Sequence, residues 1–174
     1  MTDFKLANAI AIAEDFLNYT HDLYSSFVIC GSIRRMVPTV HDVDLVVIPK
    51  TRFLFSSQLQ SKIFKSKQDG KSIKKIREGA KIIELSYECD KNAGSPIQID
   101  LNIANKETFE VLKLIKTGSA MHNVKLCTIA KERGWKLKVS GEGLYDKKDQ
   151  LVANTENGIL FELLAKIPPP DERF

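Results

Sequence analysis

The sequence predicts an α+β fold: a mixed sheet with helices on one side, followed by a small helical C-terminal lobe that carries short strands. Three observations lead there. Residues 4–24 place Leu6, Ile10, Ala13, Leu17 and Leu23 on one stripe, a helical period. The stretches "DVDLVVI" at 42–48 and "IQIDLNI" at 97–103 alternate with a period of two, as strands with two different faces do. After residue 105 the character changes to two consecutive helical stretches, each ending in glycine. The expected division is therefore a first lobe over 1–105 and a second over 106–174.

Taken in order, the helix over 4–24 is followed by "SSFVICGS" at 25–32, a short apolar strand ending in a Gly-Ser turn. "IRRMV" then reads as a helical turn with Ser32 as its cap. The β-branched strand 42–48 closes at Pro49, and 56–67 is expected as a helix capped by Ser56 or Ser57. "KSIKKIRE" and "KIIELSYE", joined at Gly79 by a two-residue turn, predict a hairpin. The strand 97–103 ends this lobe. Residues 106–118 and 119–134 predict the two helices, with Ser119 capping the second. Short strands follow around the Lys147-Lys148 turn, and "TENGILFELLAKI" is a last short helix.

With 43% hydrophobic and 28% charged residues, the composition is that of a soluble globular chain. No run approaches the roughly 18 apolar residues of a membrane span. The acids within "MTDFKLANAIAIAEDF" argue against a signal peptide, so an intracellular location, cytoplasmic or nuclear or in a virion, is expected. Cys30, Cys89 and Cys127 form no CxxC pair, which excludes a disulfide framework and a zinc site. The net charge of +4 is unevenly spread: residues 61–81 hold eight Lys or Arg against two acids. Lys62, Lys65, Lys67, Lys71, Lys74, Lys75, Arg77 and Lys81 are thus an electrostatic footprint for a polyanion, with a solvated surface as the alternative.

The chemistry concentrates in a few short stretches. On a strand, Asp42 and Asp44 project to one face, opposite Val43 and Leu45, and Asp100 stands among Gln98 and Asn102 on the polar face of the other strand. If those strands are neighbours, the three aspartates converge. Carboxylates within a few ångströms repel by several kcal/mol at an effective dielectric of about 20 unless cations neutralise them. Oxygen-only donors suit Mg²⁺, with Mn²⁺ as a substitute, and a pair of such ions is the usual device of phosphoryl transfer. Upstream, Gly31 permits close backbone approach, Ser32 offers a hydroxyl, and Arg34 or Arg35 can fork onto phosphate oxygens.

"GSIRR", "HDVDLVV", "IQIDL", "TGS" and the terminal "PPPDER" occur in the order found in family X DNA polymerases, the polymerase beta group of the nucleotidyltransferase superfamily. The chain resembles that family from about residue 26 to its C-terminus. The resemblance implies a nucleotidyltransferase-type palm followed by a nucleotide-selecting thumb, and a reduced form without amino-terminal lyase or helix-hairpin-helix domains, similar in plan to a viral member. It implies that Asp42 and Asp44 bind both Mg²⁺ ions, that Asp100 binds the catalytic one, and that Gly31, Ser32 and Arg35 hold the outer phosphates of a dNTP. Thr117, Gly118 and Ser119 match the turn beneath the incoming sugar, and Asn123 matches a contact to the minor-groove edge of the incoming base. The implied partners are gapped or primer-template DNA and a DNA ligase, and the chain is expected to be a monomer.

Four residues depart from the family. Ile115 and Lys116 replace the aromatic pair that crowds the ribose 2′ position, Gln98 replaces an arginine two residues before the third aspartate, and Cys127 replaces an arginine that monitors the template pair. His41 is expected to have no catalytic role, His122 to sit on a helix surface, and Trp135 to belong to a core. The implied function is template-directed filling of short DNA gaps, in repair. The competing readings are an untemplated nucleotidyltransferase acting on RNA ends or protein, and a catalytically inert DNA-end-binding module.

Overall fold

A computed structural model of the chain describes residues 2–173. The first lobe contains β1 (Phe4–Lys5), α1 (Leu6–Thr20), β2 (Tyr24–Ile29), α2 (Gly31–Arg34), β3 (Thr39–Val40), β4 (Asp42–Pro49), α3 (Phe55–Ser66), β5 (Ser72–Glu78), β6 (Ile82–Glu88) and β7 (Ile97–Ile103). The second contains α4 (Phe109–Thr117), α5 (Ala120–Glu132), β8 (Lys136–Lys138), β9 (Gly143–Tyr145), β10 (Leu151–Ala153) and α6 (Glu156–Leu164). The fold is α+β. No helix among the described residues is long and apolar enough to cross a membrane.

The main sheet has the order β2-β4-β7-β6-β5, in which only β4 and β7 run parallel. Alternation decides which face is buried. Val43, Leu45 and Val47 of β4, Ile83 and Leu85 of β6, and Ile99 and Leu101 of β7 form one apolar face. Upon it lie Ala9, Ile12, Ala13 and Phe16 of α1 and Phe55 and Leu59 of α3, so the first-lobe helices cover one side. Burying side chains of this size contributes roughly 1.5–3 kcal/mol each.

Several local expectations need correction. The chain at Phe4 and Lys5 is extended and pairs with Val40 and Thr39, because Phe4 gains burial there that a helix start would not give. α2 begins at Gly31 with Cys30 before it, so Ser32 lies inside the turn and caps nothing. α3 has no side-chain cap: Ser56 donates to Glu78 Oε1 (2.5 Å) and Ser57 to the Leu54 carbonyl (2.8 Å). Ser119 does cap α5, accepting the His122 N–H at 3.2 Å.

A second core forms around Val111, Leu114, Leu126, Leu144, Ile159 and Leu160, with Trp135 packed against it. A small third cluster, Cys30, Val46 and Ala104 with Ile48, Phe109 and Leu112, joins the two. It seats α4 on the other face of β4. The N-terminal end of α4 lies over Ile48, and its C-terminal end brings Lys116 close enough to Asp44 to interact electrostatically. The lobes are also locked by Glu156, whose carboxylate accepts two bonds from Arg34 (2.7 and 2.8 Å) and one from Arg173 (2.6 Å). Burial alone would raise the pKa of Glu156, but the bonds from Arg34 and Arg173 outweigh it and hold the carboxyl down to about 2.

Candidate functional site

The register of β4 and β7 sets Asp44 directly beside Asp100 and Asp42 beside Gln98, all on the face opposite the main core. Burial, the neighbouring Asp42 and then Asp100 push the Asp44 carboxyl up to about 7, well above an ordinary aspartate. Asp100 is also raised, first by burial. Gln98 opposes this by donating from Nε2 to Asp100 Oδ1 at 2.8 Å, a neutral amide bond where the family has a charged arginine. A further carboxylate, Glu84 of β6, stands opposite Asp100 in the antiparallel register and is itself paired to Arg77. Sequence reasoning missed Glu84. Alternation in "KIIELSYE" does put it on the polar face of its strand, but only the sheet order shows which residue it meets.

Gly31 fits against Asp44 so closely that a Cβ there would fall 2.3 Å from Asp44 Oδ2, and its φ of +58° lies where side chains are disfavoured. Gly31→Ala is therefore expected to cost roughly 1–3 kcal/mol and to displace the Asp44 carboxylate. Urea denaturation checks the stability, and metal-ion titration followed by intrinsic fluorescence checks the carboxylate; an unchanged midpoint would refute the fit. Ser32 follows Gly31 in the chain, and its Oγ is shielded from solvent with no hydrogen-bond partner among the described residues.

Arg34 and Arg35, adjacent in sequence, have different tasks. Arg34 is committed to the scaffold through Glu156 and through a 2.6 Å bond to Thr117 Oγ1. Arg35 bonds the Thr117 carbonyl and lies near enough to Asp44 to lower its pKa, so its guanidinium faces the carboxylates. Gly118 permits this approach, since a Cβ at that position would come 3.0 Å from Arg35 Nη1. Thr117 is fully buried and its hydroxyl donates to the Lys113 carbonyl at 2.6 Å, which makes it a strut beneath the site. Asn123 donates from Nδ2 to the Ile115 carbonyl (2.7 Å), with its Oδ1 buried and unpartnered.

The donor set suits a hard divalent cation: oxygen ligands only, and buried carboxyls whose pKa is raised first by burial and then by neighbouring carboxylates. Among the described residues, no three carboxylate, histidine or cysteine side chains are drawn around one point. Unneutralised like charges repel, and Gln98 already occupies one oxygen of Asp100.

Residues 113–174 match the family model of the DNA polymerase beta thumb. The C-terminal third of the chain is thus similar to the polymerase beta thumb. No curated protein matches the chain. The thumb match begins inside α4, the helix that carries Lys116 and Thr117 to the carboxylates.

The basic run over 61–81 is divided between paired and unpaired charges. Lys62 pairs with Asp22 (2.9 Å), Lys71 with Asp15 (2.6 Å), Lys75 with Glu78 (2.5 Å) and Arg77 with Glu84. Lys65, Lys67, Lys74 and Lys81 make no ion pair among the described residues and are the unpaired, exposed charges of the run. Of these, Lys74 lies opposite Ser86, which lies opposite Gln98, so it continues the row of Asp42 to the sheet edge. A register shift between Lys75 and Arg77 puts Arg77 in the row of Asp44 and Asp100. His41 bonds Asp3 through Nδ1 (2.9 Å) at the surface. His122 departs from expectation: it is buried at 4% exposure, its Nε2 is unpartnered, and burial followed by the charges of Arg173 and Lys125 lowers its pKa.

Proposed function

We propose that the chain is a template-directed DNA polymerase that fills short gaps, joining a dNMP to a primer 3′-hydroxyl. The observation that carries this reading is the pairing of Asp44 with Asp100 across β4 and β7, beside Gly31 and Ser32, on a chain that ends in a polymerase beta thumb. DNA as the polymer partner follows from that thumb and from the exposed Lys74, which continues the row of Asp42.

Asp42, Asp44 and Asp100 would hold Mg²⁺, two ions as in the family, with Mn²⁺ as a substitute. When bound, the metal supplies charge neutralisation at the triphosphate and a more acidic 3′-hydroxyl. The chain's own groups do the rest. The Ser32 hydroxyl, which lacks a partner, and the Arg35 guanidinium take oxygens of the outer phosphates. Gln98 fixes Asp100 through Oδ1, leaving Oδ2 as the oxygen that faces the primer hydroxyl and accepts its proton. The bond from the 3′-oxygen to the α-phosphorus forms as the bond from the α-phosphorus to the bridging oxygen breaks, and pyrophosphate leaves. Alignment of these groups supplies most of the barrier reduction.

The test is incorporation on a one-nucleotide gap, with each dNTP and rNTP opposite each template base. The expected result is incorporation that follows the template. With Ile115 and Lys116 in place of an aromatic pair, discrimination against ribonucleotides is expected to fall below about 100-fold. Indifference to the template base would identify an untemplated transferase, and DNA binding without any incorporation would identify an inert end-binding module.

A further inference from the structure

At the opposite end of α4 from the carboxylates lies a cleft of about 450 Å³, the size of a small-ligand site. Its floor is the C-terminal ends of the two parallel strands, Ile48 and Pro49 of β4 with Ile103 and Ala104 that end β7. The second lobe supplies a wall: Gly141 sits so tightly on α4 that a Cβ there would fall 2.7 Å from Thr108 Cβ, leaving Ser140 at the cleft. Three cations line it, Arg52 from the turn before α3, Lys81 from the β5–β6 turn, and Lys106 from the loop before α4.

Their charge is only partly compensated. Arg52 Nη2 donates to the carbonyl of Ala80, which holds its guanidinium beside the residue preceding Lys81. None of the three makes an ion pair among the described residues. Two acids lie near: Glu107 lines the cleft, and Glu142 is already bonded by Ser140 at 2.6 Å. The helix terminus is not the seat, because Asn105 and Thr108 satisfy each other's backbone N–H groups (3.0 and 2.9 Å). Three cations from three segments line one cleft, and they outnumber the acids beside them, an excess of positive charge that suits an anion.

We propose that this cleft is a second phosphate site, which takes a phosphate of the bound DNA away from the reacting end. This rests on the polymerase reading. Ile48 is four residues beyond Asp44 on the same face of β4, roughly 13 Å at strand spacing. That is about four base steps at 3.4 Å each, within the span of one DNA molecule. The phosphate is either the terminal 5′-monoester at the downstream edge of a gap or a backbone diester. Because both lobes line the cleft, the bound phosphate also ties the second lobe to the first.

The experiment is fluorescence anisotropy of the full chain with gapped DNA bearing a 5′-phosphate or a 5′-hydroxyl, across a range of salt. The variants are Arg52→Gln, Lys81→Gln and Lys106→Gln, alone and combined. All three side chains belong to exposed residues, and thermal unfolding confirms that the variants fold. The triple variant is expected to bind at least tenfold more weakly and to reduce the salt slope by about 1, since one phosphate contact contributes about 0.9. If the ligand is the terminal monoester, the wild type loses affinity on the 5′-hydroxyl DNA and the triple variant no longer distinguishes the two. If it is a diester, the triple variant loses equally on both. An unchanged affinity and slope on both DNAs overturns the proposal. Failure of the polymerase reading looks different: the wild type would bind with the full slope and incorporate nothing.

Discussion

Asp44→Asn is expected to abolish gap filling, by at least about 10³-fold, while raising the melting temperature of the metal-free protein by roughly 5 °C. The two effects have one cause. Asp44 is largely buried beside Asp42 and Asp100, and its carboxyl is raised to about 7 by that burial and those charges. The native state then binds a proton more tightly than the unfolded chain, so stability falls as pH rises from the unfolded value of 3.8 towards 7. The asparagine removes this loss. Its advantage should be absent below about pH 3.8 and complete above about pH 7. Thermal unfolding in chelator at pH 5 and pH 8 measures it, alongside single-turnover incorporation with Mg²⁺. A variant no more stable than wild type at pH 8 would contradict the electrostatic account, and one that still incorporates would contradict the assignment of Asp44.

Glu156→Gln is expected to cost about 3–5 kcal/mol, because it leaves Arg34 and Arg173 without the charge that compensates them. The side chain of Glu156 is only 4% exposed, so water cannot take over. The pH dependence has the opposite sign to that of Asp44. A carboxyl held at about 2 in the fold, against 4.5 in the unfolded chain, contributes its full stability above about pH 4.5 and loses it as the pH falls towards 2. Urea midpoints at pH 7, 4 and 3 should therefore drop steeply in the wild type and more shallowly in the variant. A variant within about 1 kcal/mol of wild type at pH 7 would show that the lobes are held by apolar packing alone. The substitution should also raise the KM for dNTP, since Arg34 braces Thr117, whose carbonyl positions Arg35.

Much of the site could be read along the chain because strand periodicity is a local property. Asp42 and Asp44 are two residues apart on one strand, so their common face needs no knowledge of the rest of the molecule. Asp100 needed one assumption, that the third polar strand is a neighbour, and the parallel pairing of β4 with β7 supplies it although β5 and β6 come between them in sequence. Other roles were not legible. Arg34 and Arg35 are chemically identical, but successive residues at a helix end point roughly 100° apart, and the partner that claims Arg34 lies 122 residues away. Ser32 has the composition of a cap, but the helix starts one residue earlier and leaves its hydroxyl for another use. The basic run reads as one patch because charge in sequence does not show which acids the fold brings to it; half of its eight members are paired.

What the sequence determined by itself is the alternation that gives each strand a core face and a carboxylate face, and the passage from strands to consecutive helices after β7. Only the tertiary structure decided which strands are neighbours, which arginine is structural, where Glu84 stands, and that three scattered cations meet at the far end of α4. The reason is physical: side-chain direction follows from local backbone geometry, whereas charge compensation depends on groups that meet only after the chain has closed its core.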